Sequence, residues 1–126
     1  MALRSLLVDD SAPFIESARG LLTKQGIEIV GVASTGAEAL RLAGELEPDL
    51  VLVDIDLGAE SGFELTRRLM REATAPPWRV ILISTHSEGD FADLIAESPA
   101  IGFLSKSGLS ASAIHELLGG DGGRGA

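Results

Sequence analysis

The chain has 126 residues, a size that fits one domain with a sizeable core, and 45% of its residues are hydrophobic. Its formal charge of −9 argues against direct binding of nucleic acid, whose phosphates require a basic surface, and suits a site that binds a cation. No apolar run approaches the roughly 20 residues that span a bilayer. The absence of cysteine excludes disulfides and thiolate metal sites, so we expect a cytoplasmic protein.

The first third of the chain predicts two strands with a helix between them. The strands run from Leu3 to Val8 and from Ile27 to Ala33, and the charged Glu28 in the second indicates a sheet edge. Ser11 predicts the N-cap of the helix, because its hydroxyl can accept a backbone hydrogen bond of the first turn. Pro13 suits the first turn of that helix. The predicted inward face consists of Phe14, Ala18, Leu21 and Leu22, and Gly26 ends the helix.

A second helix and a strongly apolar strand follow. Ser34 or Thr35 caps the helix, and Pro48 stops it. The strand covers Asp49 to Asp54, where four consecutive aliphatic residues predict burial on both faces, as in a parallel sheet. The predicted inward residues of the helix are Ala39, Leu40, Ala43 and Leu46.

The second half of the chain predicts two further strands and three further helices. Gly58 and Gly62 indicate a loop, and Pro76-Pro77 interrupts the chain before the fourth strand. The predicted elements are a helix through Leu65 and Leu69 to about Ala73, a strand from Val80 to Ile83 that ends at Ser84, a helix with Phe91, Leu94 and Ile95 on one face that ends near Pro99, a strand from Ile101 to Leu104, and a helix from Leu109 to Leu118.

Alternating strands and helices predict an α/β fold, a doubly wound five-stranded parallel sheet with right-handed crossovers and helices on both faces. The flavodoxin-like strand order 2-1-3-4-5 places the first and third strands at the switch point, where such sheets bind ligands. The domain is predicted over 1–118, and the glycine-rich residues 119–126 are expected to form a flexible tail or the start of a linker. We expect Trp78 to pack at the entry to the fourth strand.

Polar residues that follow four of the strands meet at one rim of this sheet. Asp9, Asp10 and Asp54 would repel one another, at about 4 kcal/mol per pair for a separation of ~4 Å and an effective dielectric of about 20. Their oxygen ligands favour a hard cation, Mg²⁺ or Mn²⁺. A free oxygen of Asp54 could attack a phosphoryl group, and Lys106 and the Ser84 hydroxyl could stabilise its charge.

These motifs occur in a familiar order. An acidic pair closes Leu-Leu-Val-Asp9-Asp10, Asp54 closes an apolar strand, Gly62 follows eight residues later, Ser84 ends Val-Ile-Leu-Ile, and Lys106 closes Gly-Phe-Leu-Ser. From Met1 to about Leu118 the chain thereby resembles the response-regulator receiver domain of two-component signalling.

The resemblance implies a role for each matching acidic position. Asp54 would be the phosphoacceptor, which takes a phosphoryl group from the phosphohistidine of a histidine kinase. Asp10 and Asp54 would bind Mg²⁺ directly and Asp9 through water, and the backbone carbonyl of Asp56 would be a further ligand.

The resemblance also implies a switch. Lys106 would hold the phosphate, Ser84 would be the switch hydroxyl, and Phe103 would be the switch aromatic residue that turns inward on phosphorylation. The surface of the fourth helix, fifth strand and fifth helix would respond, and a homodimer could form through it. Asp56 and His86 flank the phosphate in the family pattern, and we expect them to affect autodephosphorylation.

The resemblance implies partners as well. A histidine kinase or phosphotransfer protein would dock near Pro13, Phe14 and the loop at Ser107-Gly108. The chain could be a stand-alone regulator or a fragment whose C-terminal DNA-binding effector domain follows Ala126. We expect no independent enzymatic turnover, no direct nucleic acid binding and no membrane insertion.

Two alternatives remain open from the sequence. Asp54-Ile55-Asp56 after an apolar strand also resembles the first motif of haloacid-dehalogenase-type phosphatases, although the acidic pair that this family has after its lysine is missing beyond Lys106. The third possibility is a degenerate receiver that acts as an unphosphorylated binding module. Turnover of a phosphate ester would favour the phosphatase, and the absence of any response to acetyl phosphate or beryllofluoride would favour the binding module.

Overall fold

A computed structural model describes residues 3–72, 79–86 and 88–120. In these segments five parallel strands form one sheet, and a short antiparallel hairpin pairs Asp56–Leu57 with Glu60–Ser61. The strands are β1 (Leu3–Val8), β2 (Ile27–Ala33), β3 (Leu50–Asp54), β4 (Arg79–Ser84) and β5 (Gly102–Ser105), and the α-helices are α1 (Ala12–Lys24), α2 (Gly36–Leu46), α3 (Gly62–Glu72), α4 (Ala92–Glu97) and α5 (Ala111–Gly120).

The strand order is β2-β1-β3-β4-β5, which confirms the predicted doubly wound topology. β2 is an edge strand, as Glu28 indicated. The central position of β3 explains its composition, because all four of its aliphatic residues are fully buried. Val51 and Val53 belong to one apolar cluster, and Leu50 and Leu52 belong to the cluster on the other face. The carboxyl ends of β1, β3 and β4 therefore meet at one rim between the two layers of helices.

Two helix N-caps form as the sequence predicts. The Ser11 hydroxyl accepts a hydrogen bond from the backbone N–H of Phe14 at 3.4 Å, at the start of α1. Of the two candidates for α2, Thr35 is the cap, and its hydroxyl accepts from the N–H of Glu38 at 3.2 Å. These caps fix where α1 and α2 begin, immediately beyond the ends of β1 and β2.

Two predictions about inward-facing residues are wrong. Leu21 is 41% exposed, because the buried stripe of α1 runs through Ala18 and Leu22, four residues apart, and Leu21 lies to its side. Leu94 is 47% exposed in a short α-helix of six residues that follows a 3₁₀ turn over Glu88–Phe91, and in this helix Ile95 packs against the core only as a partly buried residue.

Some boundaries also differ from the prediction. Gly62 is the first residue of α3 rather than part of the loop. α5 begins at Ala111, two residues later than predicted, after a 3₁₀ turn over Lys106–Gly108, and it extends to Gly120. The predictions for Ala73, Pro76-Pro77, Trp78 and residues 121–126 lie outside the described residues. None of the helices in the described part of the chain has the length and hydropathy of a transmembrane span.

Candidate functional site

The structure brings the three predicted carboxylates together at the rim. Asp54 is the last residue of β3 and is 5% exposed, whereas Asp9 directly follows β1 and is fully buried. Asp10 comes next and is exposed. One carboxylate oxygen from each of the three lies within 4.8 Å of the others, a spacing that lets them share one metal ion.

Asp9 is held on both sides. Its backbone N–H donates to the carbonyl of Ala33 at 3.0 Å, and its Oδ1 accepts from the N–H of Ser11 at 2.8 Å. Its Oδ2 forms an ion pair with the ammonium of Lys106 at 2.7 Å, but among the described residues no group donates a well-aligned hydrogen bond to it. Oδ2 of Asp9 thus retains capacity to interact with a further cation or water molecule.

Lys106 is the cation of the site. It begins the 3₁₀ turn after β5, its side chain is 12% exposed, and its Nζ also lies 3.3 Å from Oδ2 of Asp54. Burial by itself would lower the pKa of Lys106, but the carboxylates of Asp9 and Asp54 outweigh burial and raise the pKa. The ammonium also lies 4.3 Å from the centroid of the Phe14 ring, within the range of a cation–π contact.

The pKa of Asp54 is raised from 3.8 to about 6. Burial is the main cause, and the charge of Asp9 adds to it. The backbone N–H of Asp56, which donates to Oδ1 of Asp54 at 3.1 Å, and the ammonium of Lys106 act in the opposite direction. A pKa of about 6 leaves Asp54 mostly ionised at neutral pH, although its negative charge is poorly solvated; an ionised carboxylate is chemically capable of nucleophilic attack.

Gly62 allows α3 to begin directly against the end of β3. A Cβ at this position would lie 2.6 Å from the Cα of Ile55 and would overlap the backbone carbonyl of Asp54. The N–H of Gly62 donates to the carbonyl of Ile55 at 2.9 Å, which ties the helix start to the strand end. The backbone of Asp54 is therefore fixed by a contact that any side chain at position 62 would disrupt.

The other predicted residues lie on β4, β5 and the short hairpin. Ser84 ends β4 and is 1% exposed, one residue beyond Ile83, which pairs with Asp54 across the sheet. Phe103 lies on β5 and is 8% exposed, so its ring is already inside the apolar core in this structure. Asp56 begins the hairpin and is exposed.

Two contacts of the site were not anticipated from the sequence. The first is the packing of Phe14 against Lys106, for which the only signal was an aromatic residue in the first turn of a helix that starts at the rim. The second is the contact of His86 with Ser84, whose only signal was a polar aromatic residue two positions after a strand end. The first contact joins residues that are far apart in sequence, whereas the second is local and depends on the conformation of the chain just after β4.

A doubly wound parallel sheet that gathers three carboxylates and a lysine at its switch point defines a class of α/β domain suited to binding a cation and a phosphoryl group. The chain matches the family model of the response regulator receiver domain over residues 6–118, and it belongs to this family. The prediction of a receiver domain of two-component signalling is confirmed.

Relatives with curated descriptions extend the comparison. The chain is 33% identical over 110 residues to the transcriptional regulatory protein LiaR of Bacillus subtilis. This alignment covers 86% of this chain and 51% of LiaR. It is 33% identical over 120 residues to protein-glutamate methylesterase/protein-glutamine glutaminase 5 of Myxococcus xanthus. This alignment covers 93% of this chain and 34% of that protein. The chain thus spans about half the length, or less, of these relatives.

Solved structures agree with the fold. A two-component response regulator of the LuxR family from Aurantimonas sp. SI85-9A1 superposes with a TM-score of 0.83 at 30% identity, over 98% of this chain and 88% of that chain. The response regulator domain of Thermotoga maritima CheB superposes with a TM-score of 0.76 at 29% identity, over 96% and 94% of the two chains.

Proposed function

We propose that Asp54 is the phosphoacceptor of this receiver domain and that phosphorylation switches its α4–β5–α5 surface. The observation that supports this most is the position of Asp54 at the switch point, 3.3 Å from the Lys106 ammonium and beside two further carboxylates. The Asp54 carboxylate can attack phosphorus, the Lys106 ammonium can neutralise the charge of the transferred group, and the three carboxylates together can hold a cation.

The chemical step is a transfer of one phosphoryl group from nitrogen to oxygen. An ionised oxygen of Asp54 forms a bond to phosphorus, the bond from phosphorus to the donor histidine nitrogen breaks, and that nitrogen keeps the electron pair. Lys106 is close enough to follow the developing negative charge, because its ammonium already contacts Asp54. The negative site otherwise repels a phosphoryl donor, which explains why a cation is needed.

The residues present fit a divalent cation. The set contains oxygen donors only, Asp9 retains a buried Oδ2 without a well-aligned donor from the described residues, and the three carboxylates can reach one common point. We propose that Asp10 and Asp54 bind Mg²⁺ or Mn²⁺ directly, that Asp9 binds it through water, and that the carbonyl of Asp56 completes the protein ligands. The ion would supply positive charge that offsets repulsion between the site and the phosphoryl oxygens.

The response to phosphorylation would use Ser84 and Phe103. Ser84 ends the strand next to the phosphoacceptor strand, so its hydroxyl needs only a local movement to reach a phosphoryl group on Asp54. Phe103 lacks a hydroxyl and is already buried, so any contribution from its ring is made through packing. The movement would shift the balance between two arrangements of α4, β5 and α5.

The phosphodonor would be a histidine kinase or a phosphotransfer protein that docks beside the site. The first turn of α1, with Pro13 and Phe14, and the turn at Ser107-Gly108 border Lys106, so a protein that approached Asp54 would contact them. Homodimerisation through the α4–β5–α5 surface and an effector domain beyond Ala126 are further proposals. We expect no independent turnover from the domain spanning 1–118.

The test is phosphorylation by a small donor. The protein is incubated with acetyl phosphate and millimolar Mg²⁺, and the intact mass is measured, with Asp54→Asn as the matched control. We expect a gain of one phosphoryl group in the wild type and none in the control or with EDTA. No gain in the wild type, together with no spectral change on adding beryllofluoride, would support the degenerate binding module instead.

A second assay, turnover of p-nitrophenyl phosphate, addresses the phosphatase alternative. Membership of the receiver family removes the support that the Asp-x-Asp motif gave to that alternative. A receiver accepts one phosphoryl group and releases it slowly, so we expect no sustained release of p-nitrophenol from p-nitrophenyl phosphate. Multiple turnovers that disappear in Asp54→Asn would contradict the proposed function.

A further inference from the structure

The hydroxyl of Ser84 is engaged by the residue two positions after it. Oγ of Ser84 accepts a hydrogen bond from the backbone N–H of His86 at 2.9 Å, and the ring nitrogen Nδ1 of His86 lies 3.3 Å from the same oxygen. Ser84 is 1% exposed, so solvent does not compete freely for its hydroxyl. The side chain of His86 thus contacts the hydroxyl that the proposed function assigns to the phosphoryl group.

The ring of His86, an exposed residue, contacts an aromatic neighbour. It meets the ring of Phe91 edge to face, with centroids 5.6 Å apart and an interplanar angle of 83°. Phe91 in turn packs on Phe63 of α3 at 6.1 Å. His86, Phe63 and Phe91 line the same cavity of about 290 Å³ beside the site. Because edge-to-face aromatic pairs are favourable, the imidazole has a preferred position from which Nδ1 points at Ser84.

The number of protons on the hydroxyl decides what this contact can do. Oγ of Ser84 already accepts from the His86 N–H, and its single proton can be donated to only one acceptor. When Nε2 carries the ring proton, Nδ1 of His86 is an acceptor within hydrogen-bond range. A phosphoryl oxygen on Asp54 would need the same proton, so the imidazole and the phosphoryl group compete for it.

We propose that His86 is a positioning residue that holds the Ser84 hydroxyl in a resting orientation, and that the activated state forms only when the phosphoryl group displaces Nδ1 of His86 from it. This inference rests on the proposed function of Ser84. It makes the balance between resting and activated states depend on a side chain outside the set of proposed metal ligands.

The test is a double-mutant cycle on beryllofluoride binding in the presence of Mg²⁺, read by fluorine NMR. His86→Phe keeps a ring against Phe91 but removes Nδ1, so the competing hydrogen bond is lost while the aromatic contact remains. We expect His86→Phe to bind beryllofluoride about fivefold more tightly than the wild type, the factor that one net hydrogen bond corresponds to. In the Ser84→Ala background the same substitution should change the affinity by less than about twofold, because the competition is already absent.

Nitrogen NMR of the imidazole gives a readout that is independent of any phosphoryl analogue. We expect His86 in the resting protein to carry its proton on Nε2 and its Nδ1 resonance to shift in Ser84→Ala. If His86→Phe does not fold, as judged by circular dichroism, His86→Ala replaces it with the same expected direction.

The outcomes separate the two proposals. A wild type that takes up no beryllofluoride rejects the proposed function and this inference with it. If the wild type binds beryllofluoride and His86→Phe binds it with the same affinity, the inference is overturned and the proposed function stays intact. The same holds if His86→Phe changes the affinity equally in the wild-type and Ser84→Ala backgrounds. A Nδ1 resonance unaffected by Ser84→Ala also overturns it.

Discussion

The ring of Phe14 lies 4.3 Å from the ammonium of Lys106, so the first turn of α1 covers the cation of the site. The same residue lies on the surface where a phosphodonor protein is proposed to dock. A substitution of Phe14 can therefore slow phosphorylation in two ways, by weakening docking or by loosening Lys106. A small donor separates the two, because acetyl phosphate needs no protein docking surface.

We predict that Phe14→Leu slows phosphorylation by acetyl phosphate about two- to fivefold, because the cation–π contact is lost while apolar bulk remains. Phe14→Tyr keeps the aromatic face and should react at nearly the wild-type rate. The measurement is the initial rate of phosphoprotein formation by mass spectrometry. If Phe14→Leu reacts at the normal rate with acetyl phosphate and slowly with the kinase, Phe14 acts in docking alone. A separate variant, Phe14→Asp, tests docking itself: phosphorylation by the kinase at the normal rate would contradict the docking proposal.

Lys106 should contribute to stability when no divalent ion is present. Lys106→Met leaves Asp9 fully buried without its charge partner, and breaking a buried ion pair in this way costs ~3–5 kcal/mol. We expect a loss of this size in the free energy of unfolding by urea in EDTA, and a smaller loss for Lys106→Arg. Millimolar Mg²⁺ should reduce the loss in Lys106→Met, because it supplies charge to the same carboxylates. An equal loss with and without Mg²⁺ would contradict this account.

The raised pKa of Asp54 predicts a pH-dependent stability difference. The pKa is about 6 in the folded protein against 3.8 in the reference state, so the fold disfavours ionisation of Asp54. Below about pH 4 this effect does not lower the free energy of unfolding of the wild type. The free energy of unfolding falls as the pH rises toward about 6, and above that it is lower by up to ~3 kcal/mol.

Asp54→Asn removes this penalty. The amide oxygen can still accept from the Asp56 N–H, and Lys106 keeps its ion pair with Asp9. In urea unfolding at about pH 7 in EDTA, we expect the free energy of unfolding of the variant to exceed that of the wild type by ~1–3 kcal/mol. Near about pH 4 the two free energies should match. A difference that does not change with pH would show that burial of the charge is not its cause.

Gly62 should tolerate no side chain. Gly62→Ala places a methyl group against the backbone of Asp54 and Ile55. Because backbone atoms must move to make room for it, we expect the free energy of unfolding to fall by about 3 kcal/mol or more. Gly44, inside α2, is the matched control, since a Cβ there meets nothing within 4 Å. Gly44→Ala should gain ~0.5–1 kcal/mol from helix propensity. Thermal unfolding measures both, and equal effects would refute the proposed overlap at Gly62.

Strands and the residues that end them were predictable because their signals are local. The fully apolar run before Asp54 requires a central strand, and parallel strands end at a common rim, so the acidic cluster followed from topology alone. The hairpin after Asp54 was not predicted, because each of its strands has only two residues. It is stabilised by a distant contact, in which Glu60 accepts the N–H of Gly36 at the start of α2 at 2.6 Å.

The fourth helix shows the limit of periodicity. Phe91, Leu94 and Ile95 fit one face of a continuous α-helix, but the turn over Glu88–Phe91 is 3₁₀, which has a different period, and Leu94 is exposed. Contacts between residues far apart in sequence, such as Lys106 with Phe14, leave no periodic trace. The sequence therefore indicated which groups are candidates for the chemistry, and the structure was needed to see which side chains contact them.

The ion pair between Lys106 and Asp9 has a consequence for when the domain is ready to react. With Asp9, Asp10 and Asp54 ionised, these carboxylates and the Lys106 ammonium together carry a formal charge of −2, equal in size to the charge of one divalent cation. The Lys106 ammonium therefore offsets part of the negative charge of these carboxylates from within the chain itself. If Mg²⁺ binds these carboxylates as proposed, it would take over this role and leave the Lys106 ammonium available to a phosphoryl group on Asp54.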